Sequence, residues 1–267
     1  MIRADLHMHS TASDGSATVE QLILMAKNAK LTHIAITDHD MLLHNAAAVA
    51  AGERANITIL PGLEFSAIDH ETGVKAHILG YYMHETRELC QLCATTRARR
   101  HANSLRQIEI LKAQGIPIDI ESLASGHNCI YKQHIMTWLV LNGYAQDMFG
   151  AFYLQYFKNG GICDFDMDYL DARDAVRSIR NAGGLAILAH PGQQKNFALI
   201  RELIPFGLSG VEYRHPDNNK KDMLTVQQLC EEYHLCLTGG SDYHGINQRS
   251  PVQVGDFVIT ENLPVRI

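Results

Sequence analysis

The stretch IRADLHMHSTASDGSATVEQLILMAKNAKLTHIAITDHD, residues 2–40, decides the fold. Ile2 to His9 reads as a strand. Thr18 with Gln21 three residues on forms a capping box, opening an amphipathic helix whose apolar face carries Val19, Leu22, Ile23, Ala26 and Ala29. His33 to Thr37 is the next strand. Strand, helix and strand in one short run are the repeating unit of a parallel α/β sheet or barrel.

Outward from that unit the rhythm continues with an alanine-rich helix over Asn45 to Ala51, a strand from Ile57 to Leu60 ending in Pro61-Gly62, and a strand from Val74 to Tyr81. It then breaks. Glu85 to Gln114 reads as one long charged helix stopped by Gly115, and further helices cover Lys132 to Leu141 and Gln146 to Lys158. From Asp171 the alternation resumes: a helix to Asn181, strand Leu185 to Ala189, helix Phe197 to Ile204, strand Ser209 to Tyr213, helix Asp222 to Tyr233 and strand Leu235 to Thr238. The expected organisation is a barrel domain over residues 1–84 and 168–267, split by a helical cap over residues 85–167. No repeat or Pro/Ser-rich linker separates them, so the cap is expected to pack on the barrel.

At 267 residues and 46% hydrophobic content the chain can bury a full core without disulfides. No run approaches the roughly 18 consecutive apolar residues of a membrane span, and no cleavable signal precedes Asp5 and His7, so the expected location is the cytoplasm. The six cysteines form no framework and read as buried thiols, with Cys90 and Cys93 on one helix. A net charge of −6 argues against a protein that coats nucleic acid.

Fifteen histidines are the compositional anomaly. Read in order, the polar residues at strand ends are His7 and His9, Asp14, Asp38 and His39, Glu64, His77, His190, and Asp242 with His244. In parallel α/β architectures the loops after the strands converge on one face, where catalytic groups collect. His7 and His9, two apart on a strand, leave the same face and can reach one ion together. Asp38-His39 and Asp242 with His244 repeat carboxylate-plus-imidazole chemistry on other strands. Glu64 at a barrel mouth needs charge compensation, which bridging two cations would provide. His44, His70, His101 and His234 read as surface or helix-face residues.

These residues resemble the polymerase and histidinol phosphatase (PHP) superfamily of metal-dependent phosphoesterases. The motifs stand as His7-x-His9 with Ser13-Asp14-Gly15, Thr37-Asp38-His39-Asp40, Ala189-His190-Pro191, and Gly240-Ser241-Asp242-Tyr243-His244-Gly245, and the resemblance covers the whole chain. It implies an α/β fold, a distorted TIM-like (β/α)7 barrel with an inserted cap, and two to three divalent ions (Mn, Fe or Zn). His7, His9, Glu64 and Asp242 would surround one ion; Glu64, His77 and the cap residue His134 a second; Asp14, His39, His190 and His244 a third. Capped members carry Arg two residues before the insertion histidine, and this chain has Lys132 there, a point charge in place of a planar fork.

Such a centre would be cationic inside an acidic protein and would generate a nucleophile from bridging water, with Asp14, Glu64 and Asp242 as its catalytic carboxylates. Lys132 and Arg214 are the candidate contacts to phosphate oxygens. The expected reaction is hydrolysis of a small phosphorylated metabolite, a sugar phosphate or nucleotide, as monoester or cyclic phosphodiester. An exonuclease acting on oligonucleotide ends and a non-catalytic metal-binding domain are the alternatives. No stable nucleic-acid partner and no membrane are expected, and the sequence assigns no general acid.

Overall fold

The computed structural model describes residues 2–42, 45–124, 129–249 and 251–261. His44 lies outside them. In the first half, strands β1 (Ala4–Asp5), β2 (His33–Ile36), β3 (Thr58–Ile68) and β4 (Lys75–Tyr81) alternate with helices α1 (Val19–Asn28) and α2 (Asn45–Ala55). Next come α3 (Arg87–Ala113), α4 (Ile120–Ala124), α5 (Lys132–Leu141) and α6 (Ala151–Phe157). The second half runs β5 (Leu170–Asp171), α7 (Ala172–Asn181), β6 (Leu185–Leu188), α8 (Pro191–Gln194), α9 (Ala198–Leu203), β7 (Leu208–Arg214), α10 (Lys220–Tyr233) and β8 (Cys236–Gly239).

The strands pair in the order β1-β2-β3-β4-β6-β7-β8, with β5 attached to β3. Past the formal end of β1 the chain keeps pairing with the chain beyond β8. Leu6 N–H donates to Gly239 O, Asp242 N–H to His7 O and His9 N–H to Tyr243 O, at 2.8–3.0 Å. This brings the first and last strands together and closes the sheet into a TIM-like barrel. Its interior is a cluster of Ala4, Leu6, Leu60, Leu79, Tyr81 and Ile187. Helices α7, α9 and α10 cover one outer face through Val176, Ile179, Leu203 and Val226, while α1 and α2 cover another through Leu22, Ala26 and Ala48. The Thr18 capping box is present, with Gln21 N–H donating to Thr18 Oγ1 and Thr18 N–H to Gln21 Oε1.

Two sequence expectations need correction. β4 runs antiparallel to both β3 and β6, because the residues after β3 make a tight turn, in which Gly73 N–H donates to Asp69 O at 2.8 Å, in place of a crossover helix. Its reversal puts the N-terminal half of β4, with His77, opposite Ser66 near the C-terminal end of β3. And β3 does not stop at Pro61-Gly62. Pro61, lacking an N–H, still pairs with Ile36 and accepts from Tyr82 N–H, so the strand continues to Ile68 and Glu64 lies inside it.

The inserted helices share their own apolar cluster, centred on Ile108, Leu111, Ile135, Leu139 and Phe157. They grip the barrel mouth by directed bonds. Tyr131 Oη donates to His39 O at 3.1 Å, Thr137 Oγ1 bonds Asn247 Oδ1 at 2.8 Å, and Arg100 on α3 reaches Asp40. The last of the three expected cap helices is shorter than its pattern, starting at Ala151 after Gly150. All six cysteines are free, and no helix among the described residues is long and apolar enough to cross a membrane.

Candidate metal centre

Glu64 is the hub. Its Oε2 lies 3.4 Å from His7 Nε2, 3.2 Å from His9 Nε2 and 3.1 Å from His39 Nδ1; its Oε1 lies 2.8 Å from His77 Nδ1 and 3.1 Å from His190 Nε2. Asp242 Oδ1 sits 3.2 Å from both His7 Nε2 and His9 Nε2. Asp14 faces His9, His39 and His244 at 3.4–3.8 Å. Ligand atoms thus converge in four neighbouring sets: His7, His9, Glu64 and Asp242; His39, Glu64 and His77; His9, Asp14, His39 and His244; and His7, Glu212 and His215.

Glycines make this crowding possible. A Cβ on Gly15 would lie 2.1 Å from His9 O, and one on Gly240 would lie 2.4 Å from His7 N. The mouth also holds left-handed backbone at Asp40, His190 and Asp242, with φ of 56°, 28° and 49°. Such conformations in non-glycine residues persist where surrounding structure over-determines them, most often at functional sites.

Burial sets the electrostatics against charge, and close partners reverse it. Burial raises Asp14, Glu64 and Asp242, but the histidines around them hold all three well below the usual carboxylate range. Burial lowers His9, yet the carboxylates of Asp242 and Glu64, each 3.2 Å from its Nε2, and the charge of Asp14 carry it up to about 10. His39 goes the other way: burial, helped by the charges of His9 and Arg100, pushes it down to about 3 and keeps the imidazole neutral.

Whether the set fits metal ions can be judged from its unsatisfied atoms. His7 Nε2, both ring nitrogens of His9, Asp14 Oδ2, His190 Nδ1 and Asp242 Oδ1 are buried without a hydrogen-bond partner among the described residues. Buried polar atoms are seldom left so, and neutral imidazole with carboxylate is the donor set for Zn, Mn and Fe. The residues fit divalent metal.

Several placements differ from the sequence reading. His190 does not join Asp14, His39 and His244; its Nε2 turns to Glu64 on the His77 side. His134 enters none of the convergent sets among the described residues, and its Nδ1 accepts the Tyr131 N–H at the start of α5. Asp38 points away from the ligands, taking Ser10 N–H, Ser10 Oγ–H and Ser13 Oγ–H at 2.6–2.8 Å and so fixing the loop after His9. Arg214 is exposed and does not line the cavity, since the β7–β8 register shifts between Glu212 and Arg214 and breaks the two-residue alternation.

Two residues escaped the sequence reading. Glu212 on β7, fully buried, accepts from His7 Nδ1–H at 3.0 Å and from His190 N–H at 2.8 Å. Burial raises it, but His7 and His215 outweigh burial and keep it ionised. His215 accepts the Asp217 N–H at Nδ1, which leaves its proton on Nε2, 3.2 Å from Asp242 Oδ2. The signal for both was the run Glu212-Tyr213-Arg214-His215, where only Arg214 was singled out.

The centre opens into a cavity of about 600 Å³ between barrel and inserted helices, lined by His77, His215 and Asp242 below and by Lys132, Tyr153 and Lys158 above. Burial lowers Lys132 to about 8, against the pull of Asp166.

A barrel whose mouth gathers imidazoles and carboxylates around one central glutamate defines a metal-dependent hydrolase. The chain belongs to the PHP family: the PHP domain model matches residues 5–182. It is 45% identical over 251 residues to the phosphoribosyl 1,2-cyclic phosphate 1,2-diphosphodiesterase of Eggerthella lenta, covering 92% of this chain and 96% of that one. It is 30% identical to the 3′,5′-nucleoside bisphosphate phosphatase of Chromobacterium violaceum (99% and 93%) and 30% identical to the 5′-3′ exoribonuclease Rnm of Escherichia coli (90% and 84%). Among solved structures it superposes on a metal-dependent phosphoesterase from Bifidobacterium adolescentis with TM-score 0.88 at 26% identity, covering 96% of this chain and 91% of that one. The protein is a phosphoric ester hydrolase acting on small phosphorylated substrates with divalent metal.

Proposed function

We propose that the substrate is a phosphate ester of a small sugar or nucleotide, with a cyclic phosphodiester favoured, and that the centre takes two to three ions, Mn, Fe or Zn. The observation that carries this reading is the 45% identity, over nearly all of both chains, to a relative named for cleaving a cyclic phosphate. His7, His9, Glu64 and Asp242 would hold one ion, Glu64, His77 and His190 a second, and Asp14, His39 and His244 a third. When bound, the ions supply Lewis acidity to phosphate oxygens and acidify water near neutral pH.

The chain's own groups do the rest. Asp14, Glu64 and Asp242 are kept ionised by the histidines around them. His215 holds a proton on Nε2 beside Asp242, at the cavity wall. Lys132 presents a cation to the substrate from above. Cytoplasmic location and the absence of a stable nucleic-acid partner complete the proposal.

The test is metal analysis of the purified protein, then product release from phosphomonoesters, cyclic phosphodiesters and short oligonucleotides. Release from a cyclic diester to give a monoester is expected. Turnover of oligonucleotides alone would establish the exonuclease reading that the Rnm likeness favours, and retained metal with no turnover at all would leave a binding domain.

A further inference from the structure

Three directed bonds from the inserted helices to the barrel mouth end beside one convergent set, that of His9, Asp14, His39 and His244. On one side Tyr131, buried at the start of α5, donates from Oη to His39 O at 3.1 Å. Its ring stacks on the His39 imidazole, with centroids 6.3 Å apart and planes at 25°, and the Arg100 guanidinium lies 5.0 Å from the centroid of the same ring. Arg97 and Arg100 then hold the next residue, Asp40, by its carbonyl and its carboxylate, each at 2.8 Å. The ring, the carbonyl and the following residue of His39 therefore all rest against the inserted helices.

On the other side Thr137 of α5 works through Asn247, a buried residue in the loop after His244. Asn247 Nδ2–H donates to Asp14 O at 2.8 Å. A carbonyl only accepts, so this bond fixes which way the amide faces and turns Oδ1 to Thr137, whose hydroxyl donates to it at 2.8 Å. Without that hydroxyl the amide oxygen is left a buried acceptor, and the amide is freed to turn away from Asp14. The set of His7, His9, Glu64 and Asp242 is braced differently. Asp242 N–H donates to His7 O at 2.8 Å, Ser241 N–H donates to the fully buried Asp5 at 2.9 Å, and Glu212 takes the His7 Nδ1 proton at 3.0 Å. Each of these braces belongs to the barrel.

We propose that Tyr131 and Thr137 are positioning residues, through which the inserted helices clamp His39 and Asp14 for one ion of the centre. The ion that Asp14, His39 and His244 would hold binds tightly only with α5 docked in this way. The ion of His7, His9, Glu64 and Asp242 is independent of that docking. This rests on the reading of the mouth as a centre for two or more ions, and adds a division of work between barrel and inserted helices. The helices that roof the cavity thereby also set how firmly one ion sits at its floor.

The experiment is stepwise removal of zinc by a chromophoric chelator from the wild type, Tyr131→Phe and Thr137→Val. In each variant one ion is expected to bind at least about tenfold more weakly, the usual loss when an outer partner of a metal ligand is removed. The remaining ions are expected to keep their wild-type affinity. Thr137→Ser, which retains the hydroxyl, is expected to behave as wild type. Unchanged affinity for every ion in both variants overturns the clamp, and so does an equal weakening of all ions, the result of a general loosening. Should the wild type hold fewer than two ions, the reading of a multi-ion centre fails while the clamp is still decided in the metal-free protein, by nitrogen–proton correlation spectra of the imidazoles assigned by substitution. The His39 signal is expected to shift in Tyr131→Phe and the His244 signal in Thr137→Val, with His7 unmoved in both. His39 and His244 signals at their wild-type positions refute the proposal. Melting curves for the variants establish that they are folded.

Discussion

His7 donates its Nδ1 proton to Glu212 Oε1 across 3.0 Å, both side chains being fully buried, and so turns its unpartnered Nε2 toward Glu64 and Asp242. The second oxygen of the same carboxylate takes the His190 N–H at 2.8 Å. One residue from β7 therefore fixes the tautomer of His7 on one strand and the backbone of His190 after another.

From this relationship, Glu212→Ala is expected to weaken metal binding by roughly 10- to 100-fold, the usual loss when the partner of a ligating histidine is removed. Glu212→Gln, which keeps an acceptor for His7, is expected to lose less. Competition with a chromophoric chelator measures both, and an Ala variant that binds metal like wild type would refute the orienting role.

A second prediction concerns the contact between the inserted helices and the barrel. Arg100 on α3 donates to Asp40 Oδ2 at 2.8 Å, and Arg97 donates to Asp40 O at 2.8 Å. Asp40 is fully buried beside His39 with φ of 56°. Removing the guanidinium strands a buried carboxylate, which costs about 3–5 kcal/mol. Arg100→Met is expected to lose stability on that scale in urea unfolding, and Arg100→Met with Asp40→Asn to recover part of it.

The legibility of this site in the sequence followed from the range of the forces involved. Local signals were easy: the Thr18–Gln21 capping box, the period of α1 and the apolar runs of β2 and β6 each read correctly from neighbours in the chain. The convergence of His7, His9, Asp14, His39, Glu64, Asp242 and His244 on one mouth was legible because strand ends converge. What failed depended on distant contacts. β4 reads like its neighbours, and only the turn before it makes it antiparallel. Arg214 and Glu212 exchanged importance through a register shift that no spacing records.

Lys132 supplies a pH prediction. Burial lowers it to about 8 in the folded protein, from an ordinary value of 10.5. The folded state then binds fewer protons than the unfolded state between those values, so Lys132 makes stability rise with pH from about 8 to about 10.5. Comparison of wild type with Lys132→Met in urea across that range isolates the slope, which the variant is expected to lose. Turnover is expected to move oppositely in wild type, with KM rising as pH passes about 8 and the ammonium loses its proton. A flat KM would remove Lys132 from substrate binding.

Metal loading and protonation compete for the same atoms. In the protein without ions, His7, His9, His190 and His244 are all raised above their ordinary value despite burial, His9 to about 10, by carboxylates that would otherwise face metal. A histidine raised in this way stabilises the fold fully below its unfolded value of 6.5 and loses that contribution as pH rises through its folded value. The metal-free protein is therefore expected to weaken progressively between about pH 6.5 and 10. Ions displace these protons, so apparent metal affinity is expected to rise with pH, by more than tenfold per pH unit if more than one proton leaves per ion. Chelator competition at several pH values gives the slope, and calorimetry in buffers of different ionisation enthalpy counts the protons. At saturating metal, a hundredfold above Kd, binding adds about 2.7 kcal/mol per ion to stability. At about 2–4 °C per kcal/mol for a chain of 150–250 residues, and somewhat less for a longer one, stripping the metal is expected to lower Tm by at least about 5 °C. A melting temperature insensitive to chelator, together with an affinity flat in pH, would show that the buried imidazoles do not ligate metal.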